Sequence, residues 1–205
     1  MRVTAETKAA TRERILQAAR RLFVENGYEA TTTRDIAQAA EIATGTLFNY
    51  FPTKEAVVAS LANQALTGAL ASANRDVSQN ATLEEELFSL VAMALRKLKP
   101  LRKHLPALLE TSLSPLAATS DDDSTTFRVA HLEAVWALAA KHGYGELPAT
   151  ALQLYWTLYT GVLVFWANDK SPKQEDTLAL IDDSLNMFIG WLGQETQVDS
   201  TPRCK

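Results

Sequence analysis

Apolar residues recur three and four positions apart over most of the chain, and the polar breaks between them divide it into successive helices. From about Ala9 to Asn26, one face carries Ile15, Ala18, Ala19, Leu22 and Phe23, and Gly27 supplies the stop. Tyr28 then fills space beneath the segment from Thr31 to Lys54. Thr32 with Asp35 three residues on forms a capping box in its acidic form, which opens a second helix with Ile36, Ala37 and Ala40 on one side. After Glu41 the pattern loses its phase, with Ile42 the only large apolar residue in the gap, and a third short helix runs from Thr44 to Phe51. At 100° per residue, Leu47 and Phe51 face inward while Gly45, Thr46, Asn49 and Tyr50 lie opposite. Pro52 ends that helix. Thr53 caps a fourth, which continues through Ala71 or beyond and predicts a stiff link between two domains.

The remainder reads as further helices. Asn74 to Ala81 is polar, and Thr82 with Glu85 makes a second capping box for a helix to about Leu98. Pro100 breaks it, Leu101 to Leu116 suits one or two short helices, and Ala117 to Ser124 is expected to be a mobile loop. The next helix runs to His142 and stops at Gly143 and Gly145. A long helix extends from Pro148 to Trp166, a last one from Gln174 to Leu192, and residues 194–205 are expected to be a disordered tail.

The outward face of the third helix carries polar and aromatic groups, which suits a helix-turn-helix that reads DNA. Lys54 adds to this, because a cation in the first turn of a helix opposes the macrodipole yet suits a phosphate approaching the same end. An ordinary helical hairpin with a solvated face shares the same pattern.

The run ILQAARRLFVENGYEATTTRDIAQAA followed by GTLFNYFPTKEAV, within Arg12 to Ala56, resembles the N-terminal domain of the tetracycline-repressor (TetR) family of bacterial transcriptional regulators. The resemblance implies that Thr33 and Arg34 open the supporting helix, with Arg34 reaching a base edge. It also implies that Thr44, Gly45 and Asn49 lie in the major groove, and that Thr46, Tyr50 and Lys54 hold phosphates. Three positions depart from the family's pattern. Glu41 stands where glycine is common at the turn, at a cost of about 1 kcal/mol for a positive φ. Ala43 replaces a serine cap, at a similar cost of about 1 kcal/mol. Phe48 stands where tyrosine is frequent; without the phenol, it is expected to serve as packing.

Composition fits a small domain joined to a larger helical one: 205 residues are 47 % hydrophobic, with only 8 Gly and 7 Pro. The net charge of −4 argues against a protein that coats nucleic acid non-specifically. It is unevenly placed, since residues 1–56 hold eight Lys/Arg and seven Asp/Glu (+1), leaving twelve and seventeen (−5) for the rest. Of those eight cations, Arg2, Lys8, Arg12, Arg14, Arg20 and Arg21 precede the motif and are placed to add phosphate contacts. Cys204 is the single cysteine, which excludes an internal disulfide and agrees with a cytoplasmic setting. The most apolar run, Leu154 to Ala167, is too short for a membrane span and suits a buried helix.

The last two helices each carry two apolar stripes. Leu152, Tyr155, Trp156, Tyr159 and Leu163 form one, and Leu154, Leu158, Gly161 and Phe165 another; the final helix has Leu178, Ile181, Leu185, Ile189 and Leu192 on one side and Leu180, Met187 and Trp191 on a second. A terminal helix needs one buried face within its own subunit, so the second stripes (Leu154, Leu158, Gly161, Phe165, Leu180, Met187, Trp191) are expected to form a homodimer interface, unless both faces are buried in a deep core. Phe127, His131, Trp136, Tyr155, Trp156 and Tyr159 combine apolar walls with sparse polar tips and are expected to line a small-molecule site, with plain aromatic packing as the competing account.

Enzyme motifs are missing: no G-x-S-x-G, glycine-rich phosphate loop or H-E-x-x-H occurs, and His104, His131 and His142 lack metal-ligand spacing. The sequence therefore predicts an all-α, non-enzymatic, cofactor-free protein. Residues 1–56 form a three-helix DNA-binding domain, residues 57–193 a helical ligand-binding and dimerisation domain. The expected partners are a double-stranded DNA operator, a second copy and a small, mostly apolar or aromatic effector, with no membrane. A helical ligand-binding module that does not meet DNA is the alternative.

Overall fold

The computed structural model describes residues 5–73, 80–104 and 122–198, and among them there are eight α-helices and no strand. The chain divides into two compact units between Gln64 and Ala65.

In the first unit, α1 (Ala5–Glu25), α2 (Thr33–Ala39), α3 (Thr44–Phe48) and the start of α4 (Lys54–Ala73) enclose a core of Ile15, Leu16, Ala19, Ile36, Leu47, Phe51, Val57 and Leu61. That division lies eight residues beyond Ala56, the expected end of the first domain. Val57, Val58 and Leu61 are buried, Arg12 donates to Ser60 Oγ at 2.7 Å and Arg20 to Gln64 Oε1 at 3.1 Å, so the opening turns of α4 belong to the N-terminal core. The third helix is also shorter than expected: Asn49 and Tyr50 form a turn, in which Tyr50 and Phe51 still donate to the Leu47 carbonyl.

The link from α2 to α3 has the strain that its sequence announces. Glu41 adopts φ 56°, a left-handed conformation that costs an L-residue about 1 kcal/mol. Ile42 N donates to Ala37 O at 3.0 Å across the turn, a C-terminal helix cap that needs such a residue. Ala43 provides no side-chain cap for α3. Glu41→Gly is expected to stabilise this unit by about 1 kcal/mol, a rise of several degrees in its melting temperature. A lower melting temperature would show that the Glu41 side chain has a compensating role.

The second unit contains the remainder of α4, then α5 (Leu83–Leu98), a 3-10 helix (Lys99–His104), α6 (Asp122–Lys141), α7 (Ala149–Asn168), a short 3-10 turn (Pro172–Gln174) and α8 (Glu175–Val198). Helices α5, α7 and α8 pack around Leu87, Val91, Trp156, Leu163, Trp166, Ile181, Leu185 and Phe188. The expected box at Thr82 is formed: Thr82 N donates to Glu85 Oε2 at 2.8 Å, and Glu85 N to Thr82 Oγ1 at 3.2 Å. Two other devices tie the helices. Arg102 donates to the carbonyl oxygens of Trp166 and Asp169, satisfying acceptors at the end of α7. Glu86, buried on α5, accepts from Lys141 and pairs with His142 Nε2 at 3.0 Å. Burial raises the Glu86 carboxyl, but the hydrogen bonds from Lys141 and His142 outweigh it and hold the group below its ordinary range.

The last helix continues to Val198, past the expected end at Leu192, because Gly193 is tolerated and the following Gln, Glu and Thr contain no breaker. Residues 194–198 are therefore helical, and 199–205 lie outside the described residues. So do 74–79 and 105–121, which hold most of the expected short helices after Leu101 and the first part of the expected loop; Asp122 to Ser124 belong to α6. Among the described residues, no helix is long and apolar enough to cross a membrane.

Candidate nucleic-acid interface

The capping box fixes the entry to α2. Thr32 N donates to Asp35 Oδ2 at 2.9 Å, Asp35 N donates to Thr32 Oγ1 at 3.1 Å, and the Thr32 hydroxyl holds the Asp35 carboxyl below its usual range. Arg34, one residue before Asp35, is thereby turned to solvent, with Thr33 half-buried beside it.

On α3, Leu47 is fully buried and anchors the helix against the unit's core. Gly45 and Asn49 lie farthest from Leu47, and Phe48 and then half-buried Thr44 continue the same strip round to one side. Gly45 and Asn49 are exposed, and a side chain on Gly45 would meet nothing within 4 Å, so the backbone there is open to a close-approaching surface. Thr46 and Tyr50 lie on the flank, each half-buried. Phe48 is not packing as expected. It is 46 % exposed, because one 100° step from buried Leu47 carries it onto the outward strip.

Lys54, expected to hold a phosphate, has partners within its own unit. Its ammonium donates to Tyr28 O at 3.0 Å and Thr31 O at 3.1 Å and sits 3.9 Å from the centre of the Tyr28 ring. Two of its three hydrogens therefore close the loop between α1 and α2 onto the start of α4, where a phosphate would have to share them. The Tyr28 hydroxyl donates to Glu55 Oε1 at 2.9 Å; burial first, then this carboxylate, push the phenol up to about 12. Sequence reading placed Tyr28 in this space but had no signal for a lysine facing two carbonyls. Of the other cations, Arg12 and Arg20 bond to α4, Lys8, Arg14 and Arg21 are exposed on α1, and Arg2 lies outside the described residues.

In the second unit, five of the six expected pocket residues gather in one cluster. His131 lies between Tyr155, Tyr159 and Trp156, with ring centres 5.7, 4.4 and 6.0 Å away, and Phe127 is 5.4 Å from it. His131 Nε2 and Tyr155 Oη share a hydrogen bond at 3.2 Å, as a satisfied core histidine would. Trp136 is the exception and does not line this cluster: it is 45 % exposed on the outer side of α6, because Val135 beside it takes the inward position. Beside the cluster, Val91, Leu158, Val162, Ile181, Ser184 and Leu185 join Tyr155 and Tyr159 around a narrow cleft. Trp156 Nε1 and Tyr159 Oη are buried with no hydrogen-bond partner among the described residues. The expected interface residues are all outside the core: Leu154, Gly161, Phe165 and Met187 are exposed, and Leu158, Leu180 and Trp191 half-buried. Leu178, expected on the inner stripe, is 43 % exposed.

A helix-turn-helix with this outward strip matches residues 15–61 to the family described as bacterial regulatory proteins, tetR family. Over those residues the chain is similar to the DNA-binding part of tetR-family regulators. Among its relatives, an uncharacterised helix-turn-helix-type transcriptional regulator of Bacillus subtilis, YvkB, is 44 % identical over 54 residues, which cover 26 % of this chain and 29 % of that protein. The transcriptional repressor KstR2 of Rhodococcus jostii is 47 % identical over 51 residues, 25 % of each chain. The chain thus spans less than a third of the length of these curated relatives. The whole fold has a counterpart in FadR of Thermus thermophilus, a TetR-family repressor solved with lauroyl-CoA: TM-score 0.63, 24 % identity, covering 87 % of this chain and 93 % of that one. The strained turn at Glu41 and the exposed Phe48 both lie within the matched residues.

Proposed function

We propose that this protein is a transcriptional repressor that binds a palindromic operator as a homodimer and is released by a small, mostly apolar ligand. The observation that carries this reading is the outward strip of α3. Gly45 and Asn49 are exposed with Thr44 half-buried at their side, and Arg34 is exposed on α2, where a plain helical hairpin has no need of base-edge chemistry. Arg34 and Asn49 offer the donors and acceptors that guanine and adenine edges match. Thr46 and Tyr50, on the flank, are placed for backbone phosphates, which hold register without reading sequence. Lys54 in this scheme chiefly positions the motif through Tyr28 and Thr31.

Titration of the full-length protein against its own upstream region and against random duplex, at several salt concentrations, tests the reading. Selective binding is expected. Arg34→Ala and Asn49→Ala should each reduce discrimination among operator variants by about 1–3 kcal/mol while leaving affinity for random DNA nearly unchanged. Equal losses on specific and random DNA would remove both residues from base recognition.

The ligand reading draws on the unpaired donors of the second unit. Trp156 Nε1 can only donate and Tyr159 Oη is free to donate, so an effector seated between them would carry an acceptor such as a carbonyl oxygen on an apolar body. The lauroyl-CoA held by the Thermus relative has that character in its acyl thioester. The expected pocket thus keeps Phe127, His131, Tyr155, Trp156 and Tyr159, without Trp136.

A further inference from the structure

We propose that Phe48 recognises the C5-methyl group of a thymine in each half of the operator, and so specifies one base pair per half-site. The inference rests on the DNA-binding reading above. It begins with a side chain out of place. Phe48 is nearly half exposed on a strip otherwise made of Thr44, Gly45 and Asn49, while its neighbour Leu47 is fully buried. Thr44 lies one helical turn before Phe48 and Gly45 three residues before it, so all three share a face. Gly45 presents no side chain and has open space around it, which lets this face approach a surface closely enough for the phenyl ring one turn on to touch it.

The chemistry of the ring then limits what it can recognise. A phenyl group neither donates nor accepts, so it cannot hold a phosphate oxygen. In the major groove, the edges of the bases present donors and acceptors throughout, with one apolar exception, the thymine methyl. Against a guanine or cytosine edge the ring would cover polar groups without replacing their water, which is unfavourable. Against the methyl it removes apolar surface from both partners. Phe48 therefore both favours thymine and rejects a G·C pair, a division of labour with Arg34 and Asn49, whose groups match polar edges.

The operator is first obtained by selecting binders from a random duplex pool with the full-length protein. Each thymine of the selected half-site is then replaced in turn by deoxyuridine, symmetrically in both halves, which removes the methyl and leaves every hydrogen-bonding group in place. At one position the wild type should lose about four-fold in affinity per half-site, or about fifteen-fold for the pair, the worth of one buried methyl. F48A should bind the thymine operator more weakly by a similar factor and show no further loss on the deoxyuridine operator. Circular dichroism and melting of F48A should match the wild type, since the ring is not part of the core. Equal sensitivity of F48A and wild type to deoxyuridine at every position would overturn the proposal, as would unchanged affinity of F48A for the thymine operator. If the wild type selects no sequence at all, the DNA-binding reading itself fails and the proposal falls with it; the first two results require selective wild-type binding and so leave that reading standing.

Discussion

Met187→Glu should convert the protein to a folded monomer and lower its affinity for a palindromic operator by roughly 10²-fold or more, the advantage lost when two linked binding sites become one. Met187 is 66 % exposed on α8 and Phe165 is 42 % exposed on α7. On α7, Leu154 and Gly161 share the face of Phe165 and are also exposed, and on α8 half-buried Leu180 and Trp191 share the face of Met187, so each of the last two helices has an apolar stripe outside the core. Two copies meeting through α7 and α8 would form a shared four-helix bundle, with each residue opposite its symmetry mate or a neighbour of it. A carboxylate at position 187 would then be buried in both copies without a partner, at a cost of several kcal/mol. The same substitution barely touches the monomer, because the side chain is not in its core. Two recognition helices must reach major grooves about 34 Å apart, so the palindrome's benefit depends on the dimer. Phe165→Glu should behave in the same way. Sedimentation would decide: an intact dimer for both variants removes these residues from the interface, whereas folded monomers that still bind the operator tightly would separate assembly from recognition.

Helix periodicity carried most of the fold, and the reasons for the remainder are local. Capping boxes at Thr32 and Thr82 were legible because both halves of each reciprocal bond lie within four residues. The turn at Glu41 was legible because an L-residue in a glycine's place has only one backbone conformation that joins α2 to α3. Interactions between residues far apart in sequence left no such trace. Lys54 reads as a free cation in the first turn of a helix, yet its partners are backbone carbonyls at Tyr28 and Thr31. Glu86 reads as one of three glutamates in the first turn of α5, yet it alone is buried, against Lys141 and His142. Phe48 was misplaced for a different reason: hydrophobicity argued for the core, whereas the helical phase set by Leu47 argued for the outside, and the phase prevailed. Among the aromatics the same conflict misassigned Trp136, whose neighbour Val135 holds the inward position.

Acidification from pH 7 to pH 5 should cost the C-terminal unit about 2 kcal/mol through His131 alone, and His131→Gln should abolish that part of the loss. Burial drives the His131 imidazole down to about 3, well below the ordinary 6.5, so the folded protein keeps the ring neutral where the unfolded chain binds a proton. The sign follows from that order. Above the unfolded value both states are neutral and stability is at its full level; as pH falls through about 6.5 toward 3, the unfolded state gains a proton that the folded state refuses, and stability declines. The immediate surroundings offer no relief. Tyr155 and Tyr159 pack on the ring, and burial raises both phenols, so neither supplies an anion to accept the charge. A glutamine can keep a hydrogen bond to the Tyr155 hydroxyl without a titrating group. Thermal unfolding followed by tryptophan fluorescence is a suitable readout because the Trp156 ring lies 6.0 Å from His131. Carboxylates held low in the folded state, such as Glu86 and Asp169, lose their contribution at more acidic pH, and comparison of wild type with His131→Gln between pH 7 and 5 removes them from the difference. Parallel curves for the two proteins would mean that His131 accepts its proton in the folded state, which requires an acidic or solvated partner and a more open cluster than Phe127, Tyr155, Trp156 and Tyr159 form around it.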